Sequence, residues 1–416
     1  MTLAGESAGS QDVSYLMHTK LAAPYFQKAM IESNFPGIRP VSAAYKSSKQ
    51  VLYNLLVTDG TAPTASAAKT LVAGMGDAEI REYLRGKTAA EITATYRTDW
   101  WGSINWGDFY RDDIVAENDF DAPPIVQGTE NRPEFVYAIG DGYVLPSDLT
   151  FADFSEGHAY PKPLIVGTTR NENNLWNATW PFNFQQGKSL DELVAEAIDG
   201  SNPDYGYLQN FYDDFGEGDP DTFKQNYTDA TRLIDEIDTY LAVTMAARNL
   251  AQYAEETPVY AYRFDWGSDP TKDYRIPNED AWKFYKGSIH GAELDFFYQT
   301  FFGLAGTDSV DAYEYTSQNM AGRKALSNAI ASYLRAFLHA RDGEISRRHG
   351  QPATWKPWTA THERYIVFDA DYRRADVTMR RSEIPRHPEA LKAAYDAMPN
   401  SAMKDFIAYY VLWSWH

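Results

Sequence analysis

The feature that most restricts what this chain can fold into lies at its start. Residues 3–9 read Leu3-Ala4-Gly5-Glu6-Ser7-Ala8-Gly9, a G-x-S-x-G pattern between a strand-like residue and a helix-like stretch. That spacing calls for a strand that turns sharply into a helix, holding the central Ser in a strained conformation with its Oγ exposed. Gly5 and Gly9 are expected to be obligatory, because a side chain at either would collide with the neighbouring strand and helix. The helix N-terminus then aims its dipole and free N–H groups at charge developing beside Ser7, and Ala8 supplies one of them. The same five residues also occur as a glycine-rich turn with an incidental Ser, so the pattern needs partners.

A serine hydroxyl near neutral pH is a weak nucleophile; it needs an imidazole base, and the imidazole needs a carboxylate behind it. With this turn the chain order is Ser, acid, His. Of the eight histidines, His18 precedes every candidate acid, and His158 precedes the best acid-bearing strand. His339 falls in a helical pattern, His349, His362 and His387 among basic or loop residues, and His416 at the terminus. His290 remains, bracketed by Gly287 and Gly291 in a loop before an apolar helix. For the acid, Glu172 lies just past the buried run Pro163–Thr168, at the carboxyl end of a strand, where α/β active sites form. Asp265, after another apolar run, is the rival.

Short apolar runs separated by long helical stretches place the chain in the α/β class with a mostly parallel sheet. Strands are expected at 28–33, 163–168 and 259–265, with a weaker one at 364–368. Helical spacing marks 65–75, 78–86, 190–199, 234–256, 322–341 and 388–398. Asp77 reads as an N-cap, and Gly86 and Gly343 as stops. The tail Phe406–Trp415 reads as a helix packed on the body; its length falls short of the roughly 20 residues a bilayer span needs. No leader pattern of basic and then apolar residues follows Met1. Acidic residues between 213 and 221 miss the calcium-loop spacing and read as a solvated loop capping the next helix. The sequons at Asn177 and Asn226 carry little weight.

Composition excludes several classes. With 38 basic and 58 acidic residues the net charge is −20, which argues against nucleic acid and against docking on anionic membranes. Without Cys there are no disulfides, thiolate metal sites or Cys nucleophile. Aromatics make up 15% of the chain, which serves either a large core or an aromatic-lined pocket.

Taken together, Thr2–Gly9, Gly167–Glu172 and Gly287–Phe297 resemble the type B carboxylesterases, the family that includes cholinesterases and fungal lipases of the same fold. Supporting stretches are Phe26–Ser33, Asp141–Pro146, Ala325–Gly343 and Trp355–Trp358, so the resemblance runs over nearly the whole chain. It implies an α/β-hydrolase fold in a single domain, 1–416, and a serine carboxylesterase acting through an acyl-enzyme. Ser7 is then the nucleophile, Glu172 the acid and His290 the base, with Ala8 in the oxyanion hole. Glu6 sits beside the nucleophile, and Ser33 stands behind the acid. No metal or cofactor is implied, and the partner is a small ester, apolar or aromatic, with no stable membrane insertion. Asn173 departs from the Gly that many members carry after the acid. Extra residues relative to the family are placed around 93–137, a stretch holding Trp100, Trp101, Trp106, Phe109 and Tyr110.

Family members also carry a long N-terminal part with a His-Gly-Gly-Gly-type loop that supplies further oxyanion donors. Met1 falls inside the elbow strand, where many relatives have Val. The chain is therefore expected to be the C-terminal part of a longer enzyme, through a misread start or a frameshift. Localisation is left unassigned, with a secreted or periplasmic enzyme as the expectation. Two alternatives accompany the esterase reading: an inactive truncated fragment, and a cholinesterase-like binding protein without catalysis.

Overall fold

A computed structural model describes residues 1–34, 38–93, 138–147, 154, 158–174, 188–199, 215–216, 218–300, 314–345, 351–381, 388–399, 403–404 and 407. The aromatic stretch between 93 and 137, the aromatics Trp176, Trp180, Phe182 and Phe184, the Asn177 sequon, and most of the expected C-terminal helix lie outside them. The chain divides into two compact units, Met1–Pro36 with Leu149–Trp415, and Gly37–Asp148.

The first unit is built on a six-stranded sheet. Its strands are β1 (Thr2–Glu6), β2 (Lys28–Glu32), β5 (Leu164–Thr169), β6 (Val259–Phe264), β7 (Arg364–Ala370) and β8 (Ala375–Arg381), adjacent in that order. The first five run parallel, and β8 returns antiparallel to β7. Side chains alternate across the sheet, and each parity meets its own layer. Met30, Ile165, Tyr260, Tyr262, Phe264, Ile366 and Phe368 pack with Leu326, Ile330, Tyr333 and Phe337 of the helix Met320–His339. On the opposite face Ala29, Ile31, Leu164, Val166, Val259, Ala261 and Val367 meet the helices Ala8–Met17 and Ala246–Tyr253. Apolar residues at both parities are what a parallel sheet covered on both faces requires.

The four strands read from sequence are present to within a residue or two. The polar edge strand β8 has no counterpart in the expectations, because its Arg380 and Arg381 read as surface. The helix expected from residue 234 starts earlier: Asp219 caps Pro220–Thr239, accepting from the Thr222 N–H at 2.8 Å. That helix continues through a π-helical turn, Tyr240–Met245, into Ala246–Tyr253. Lys28 anchors the far end of Met320–His339, its Nζ donating to the carbonyls of Phe337, Leu338 and Ala340 at 2.6–2.8 Å. These are the carbonyls a helix end leaves unbonded.

The second unit pairs two short parallel strands, β3 (Ile38–Pro40) and β4 (Ala138–Gly140), with helices Val41–Thr58, Ala65–Gly74, Asp77–Arg85 and Ala89–Thr93. Val41–Thr58 is a helix that the sequence reading did not assign. Asp77 is the first helical residue and not the cap; the cap position is Gly76, whose N–H donates to Glu79 Oε2 at 2.9 Å. Leu52, Leu56, Ala68 and Val72 form the unit's own core.

Gly167, inside β5, has no room for a side chain, because an added Cβ would press on the Tyr262 ring of β6. Gly167→Ala is expected to cost about 1–3 kcal/mol of stability, as overpacked cores do, read as a lowered Tm in thermal denaturation.

Candidate active site

Four turns at the carboxyl ends of the parallel strands build the site. At the first, β1 passes into the helix Ala8–Met17 through Ser7, whose backbone sits at φ 57° and ψ −123°. For a residue with a Cβ this is a strained conformation, held because the surroundings over-determine it. The Ser7 N–H donates to the Glu32 carbonyl at 3.1 Å, and the Ser7 carbonyl accepts from the N–H groups of Ser10 and Gln11. A Cβ at Gly5 would strike the Gly9 carbonyl, so Gly5 is obligatory as expected. Gly9 is not: among the described residues, a Cβ there meets nothing within 4 Å. Ala8 opens the helix, and its N–H belongs to the first turn, which has no carbonyl of its own helix to bond.

At the end of β2, Ser33 also takes a positive φ, 53°. Its N–H donates to the Gly167 carbonyl at 2.8 Å. Its Oγ lies 2.6 Å from Glu172 Oε1 and 3.1 Å from Glu293 Oε1. One hydroxyl proton cannot serve two carboxylates. The arrangement closes only if Glu293 carries a proton toward Ser33 while Ser33 donates to Glu172.

Glu172 is buried past β5. Its Oε1 accepts from Ser33 Oγ, Thr168 Oγ1 and the Thr169 N–H, each at 2.6 Å. Its Oε2 lies 2.6 Å from Nδ1 of His290. Burial alone would raise its carboxyl, but the His290 charge and the hydrogen bonds from His290, Ser33 and Thr168 hold it below the usual range. The rival Asp265 is engaged elsewhere, by Arg263 at 2.6 and 2.7 Å and by Arg170 at 3.4 Å.

The His290 loop is tied to the acid loop by residues the sequence reading passed over. Asn171 N–H donates to the Ser288 carbonyl, while Ser288 N–H donates to Ser268 Oγ at 2.6 Å. Ser268 in turn donates to Asn171 Oδ1. Gly287 at φ 63° and Gly291 at φ 79° make the reversals on either side of the imidazole. Burial pulls the His290 pKa down, but Glu172, Glu6 and Glu293 outweigh it and push it up to about 9.

Nε2 of His290 faces Glu6 Oε1 at 3.2 Å. Among the described residues no hydrogen bond joins Ser7 Oγ to the imidazole; Ser7 comes to the site as the chain neighbour of Glu6. The structure therefore joins Glu6, Glu172, His290 and Ser33 by direct contacts. Two further buried carboxyls complete the group. Burial, with Glu172 and Glu6 behind it, raises Glu293 to about 8. Burial, Glu293 and Glu6 push Glu32 well above the usual carboxyl range. Glu293 was legible only as a Glu three residues past His290, a spacing that does not signal burial, and Glu32 only as part of the strand expected at 28–33, with nothing to mark it as the neighbour of Glu6.

Among the described residues no cluster of His, Asp and Glu suits a metal ion. No described helix is long and apolar enough to cross a membrane.

The model of the "Carboxylesterase family" matches residues 1–385. No curated protein matches the sequence. Among solved structures, the carboxylesterase EST55 of Geobacillus stearothermophilus is similar at 17% identity and a TM-score of 0.51, covering 94% of this chain and 63% of its own. A PNB esterase is similar at 19% identity and a TM-score of 0.48, over 94% of this chain and 62% of its own. This chain thus spans less than two thirds of the length of either.

The raised groups set the pH dependence of stability. His290 and Glu293 hold protons more tightly when folded than unfolded. Their contributions are therefore lost as pH rises, between 4.5 and about 8 for Glu293 and between 6.5 and about 9 for His290. Glu293→Gln removes the first loss. Its Tm relative to wild type is expected to climb from pH 5 to pH 8; a constant difference would contradict the protonated form.

Proposed function

Because the chain belongs to the carboxylesterase family, we propose that it is built to hydrolyse carboxylic esters through a Ser7–His290–Glu172 triad, in one catalytic domain. The carrying observation is the 2.6 Å contact between His290 Nδ1 and a buried Glu172 that three further donors hold in place. That contact orients the ring and leaves Nε2 on the side of the elbow.

In this reading Nε2 takes the Ser7 proton as Oγ attacks the ester carbonyl. The Ala8 N–H donates to the oxyanion. The imidazolium then protonates the leaving alcohol, giving an acyl-Ser7 ester. Water, deprotonated by the same nitrogen, attacks that ester and releases the acid. Glu172 stabilises the imidazolium throughout and stays ionised. Substrates are small apolar or aromatic esters.

An imidazole whose pKa lies near 9 must lose its proton before it can act as base. Hydrolysis of p-nitrophenyl butyrate is therefore expected to rise in kcat/KM from pH 7 toward pH 9. Ser7→Ala should abolish it, and Glu172→Gln should lower kcat by about four orders of magnitude, as loss of the orienting carboxylate does in other triads. A fluorophosphonate should label wild type and not Ser7→Ala. A folded chain that neither labels nor hydrolyses would favour a binding protein; an aggregated one would favour an inactive fragment.

A further inference from the structure

Glu32 is a buried acid that the mechanism above does not use. It is 1% exposed, and its Oε2 has no hydrogen-bond partner among the described residues. It stands in register with Glu6 on the adjacent parallel strand, so the two side chains project from the same face. Oε1 of Glu6 is likewise buried without a hydrogen-bond donor of good geometry. The groups acting on this pair come from every neighbouring element: Glu293 and His290 from the loop before Leu294–Phe297, Glu172 from the acid loop, Tyr262 from β6, and Tyr298. No Lys or Arg is paired with either carboxyl among the described residues. Two carboxylates side by side, with one imidazolium at Glu6 and no Lys or Arg, leave one charge uncompensated, so one of the two holds a proton. Glu6 faces the imidazole and is the one to ionise; Glu32 faces only acids and phenols.

We propose that Glu32 is a positioning residue of this site, a neutral acid whose O–H donates to the Glu6 carboxylate and so weakens the hold of Glu6 on Nε2 of His290, the nitrogen Ser7 needs. The proposal rests on the triad reading. Glu32 also accepts the Ser7 N–H through its own carbonyl and precedes Ser33, so the donor is fixed to both turns it serves.

The test follows the His290 imidazole by NMR titration of the histidine-labelled chain, its signal identified by loss in His290→Asn, alongside kcat/KM on p-nitrophenyl butyrate. Glu32→Gln keeps a neutral donor, so its His290 midpoint should stay close to that of wild type, whereas Glu6→Gln should lower it. Glu32→Leu removes the donor. Its His290 midpoint should rise and its kcat/KM fall by about tenfold or more, the scale of a lost hydrogen bond to a charged acceptor, with Glu32→Gln restoring both. If Glu32→Gln lowers the midpoint as Glu6→Gln does, Glu32 carries charge and the proposal fails. It fails equally if Glu32→Leu and Glu32→Gln behave alike. Should Ser7→Ala hydrolyse the ester as well as wild type, the triad reading falls, while the titration still decides where the proton resides.

Discussion

A single buried carboxylate organises this end of the molecule. Glu172 accepts four hydrogen bonds, from the turn after β2, from β5 itself and from the His290 loop. Each donor comes from a segment with its own reason to be there. Ser33 is placed by the positive φ after β2, Thr168 and Thr169 by the parallel ladder with β6, and His290 by two left-handed glycines. Without Glu172 these donors would face one another across a dry space, at the cost that unsatisfied buried groups carry.

Around that centre the electrostatics are lopsided. Glu6, Glu172 and Glu293 act on one imidazole, Glu32 stands beside Glu6, and burial makes full ionisation of all four impossible. The charges sort by partner. Glu172, with four donors, stays ionised; Glu293 and Glu32, facing mainly other acids, retain protons. The imidazole is drawn toward its charged form from both ring nitrogens, by Glu172 at Nδ1 and Glu6 at Nε2. In a hydrolase, Glu6 and Ser7 compete for Nε2, and the neutral acids set the terms of that competition.

Much of the architecture was legible because it follows from local rules. Strand parity marked β2, β5, β6 and β7, where apolar side chains at both parities need cover on both faces. The elbow was legible because Gly5 is forced by contact with a helix only four residues away. The rest was hidden for physical reasons. β8 carries charge on its solvent side, and an open position such as Gly9 looks the same in sequence as a crowded one.

What the sequence determined by itself is the turn that strains Ser7, since that turn depends on neighbours a few residues apart. The tertiary structure alone decided which carboxyls share the imidazole and which of them keep protons. Glu172 meets His290 across 118 positions, and Ser33 meets Glu293 across 260. A carboxyl's charge depends on how much water it loses and on which donors reach it. Both are properties of packing, and a string of residues does not carry them.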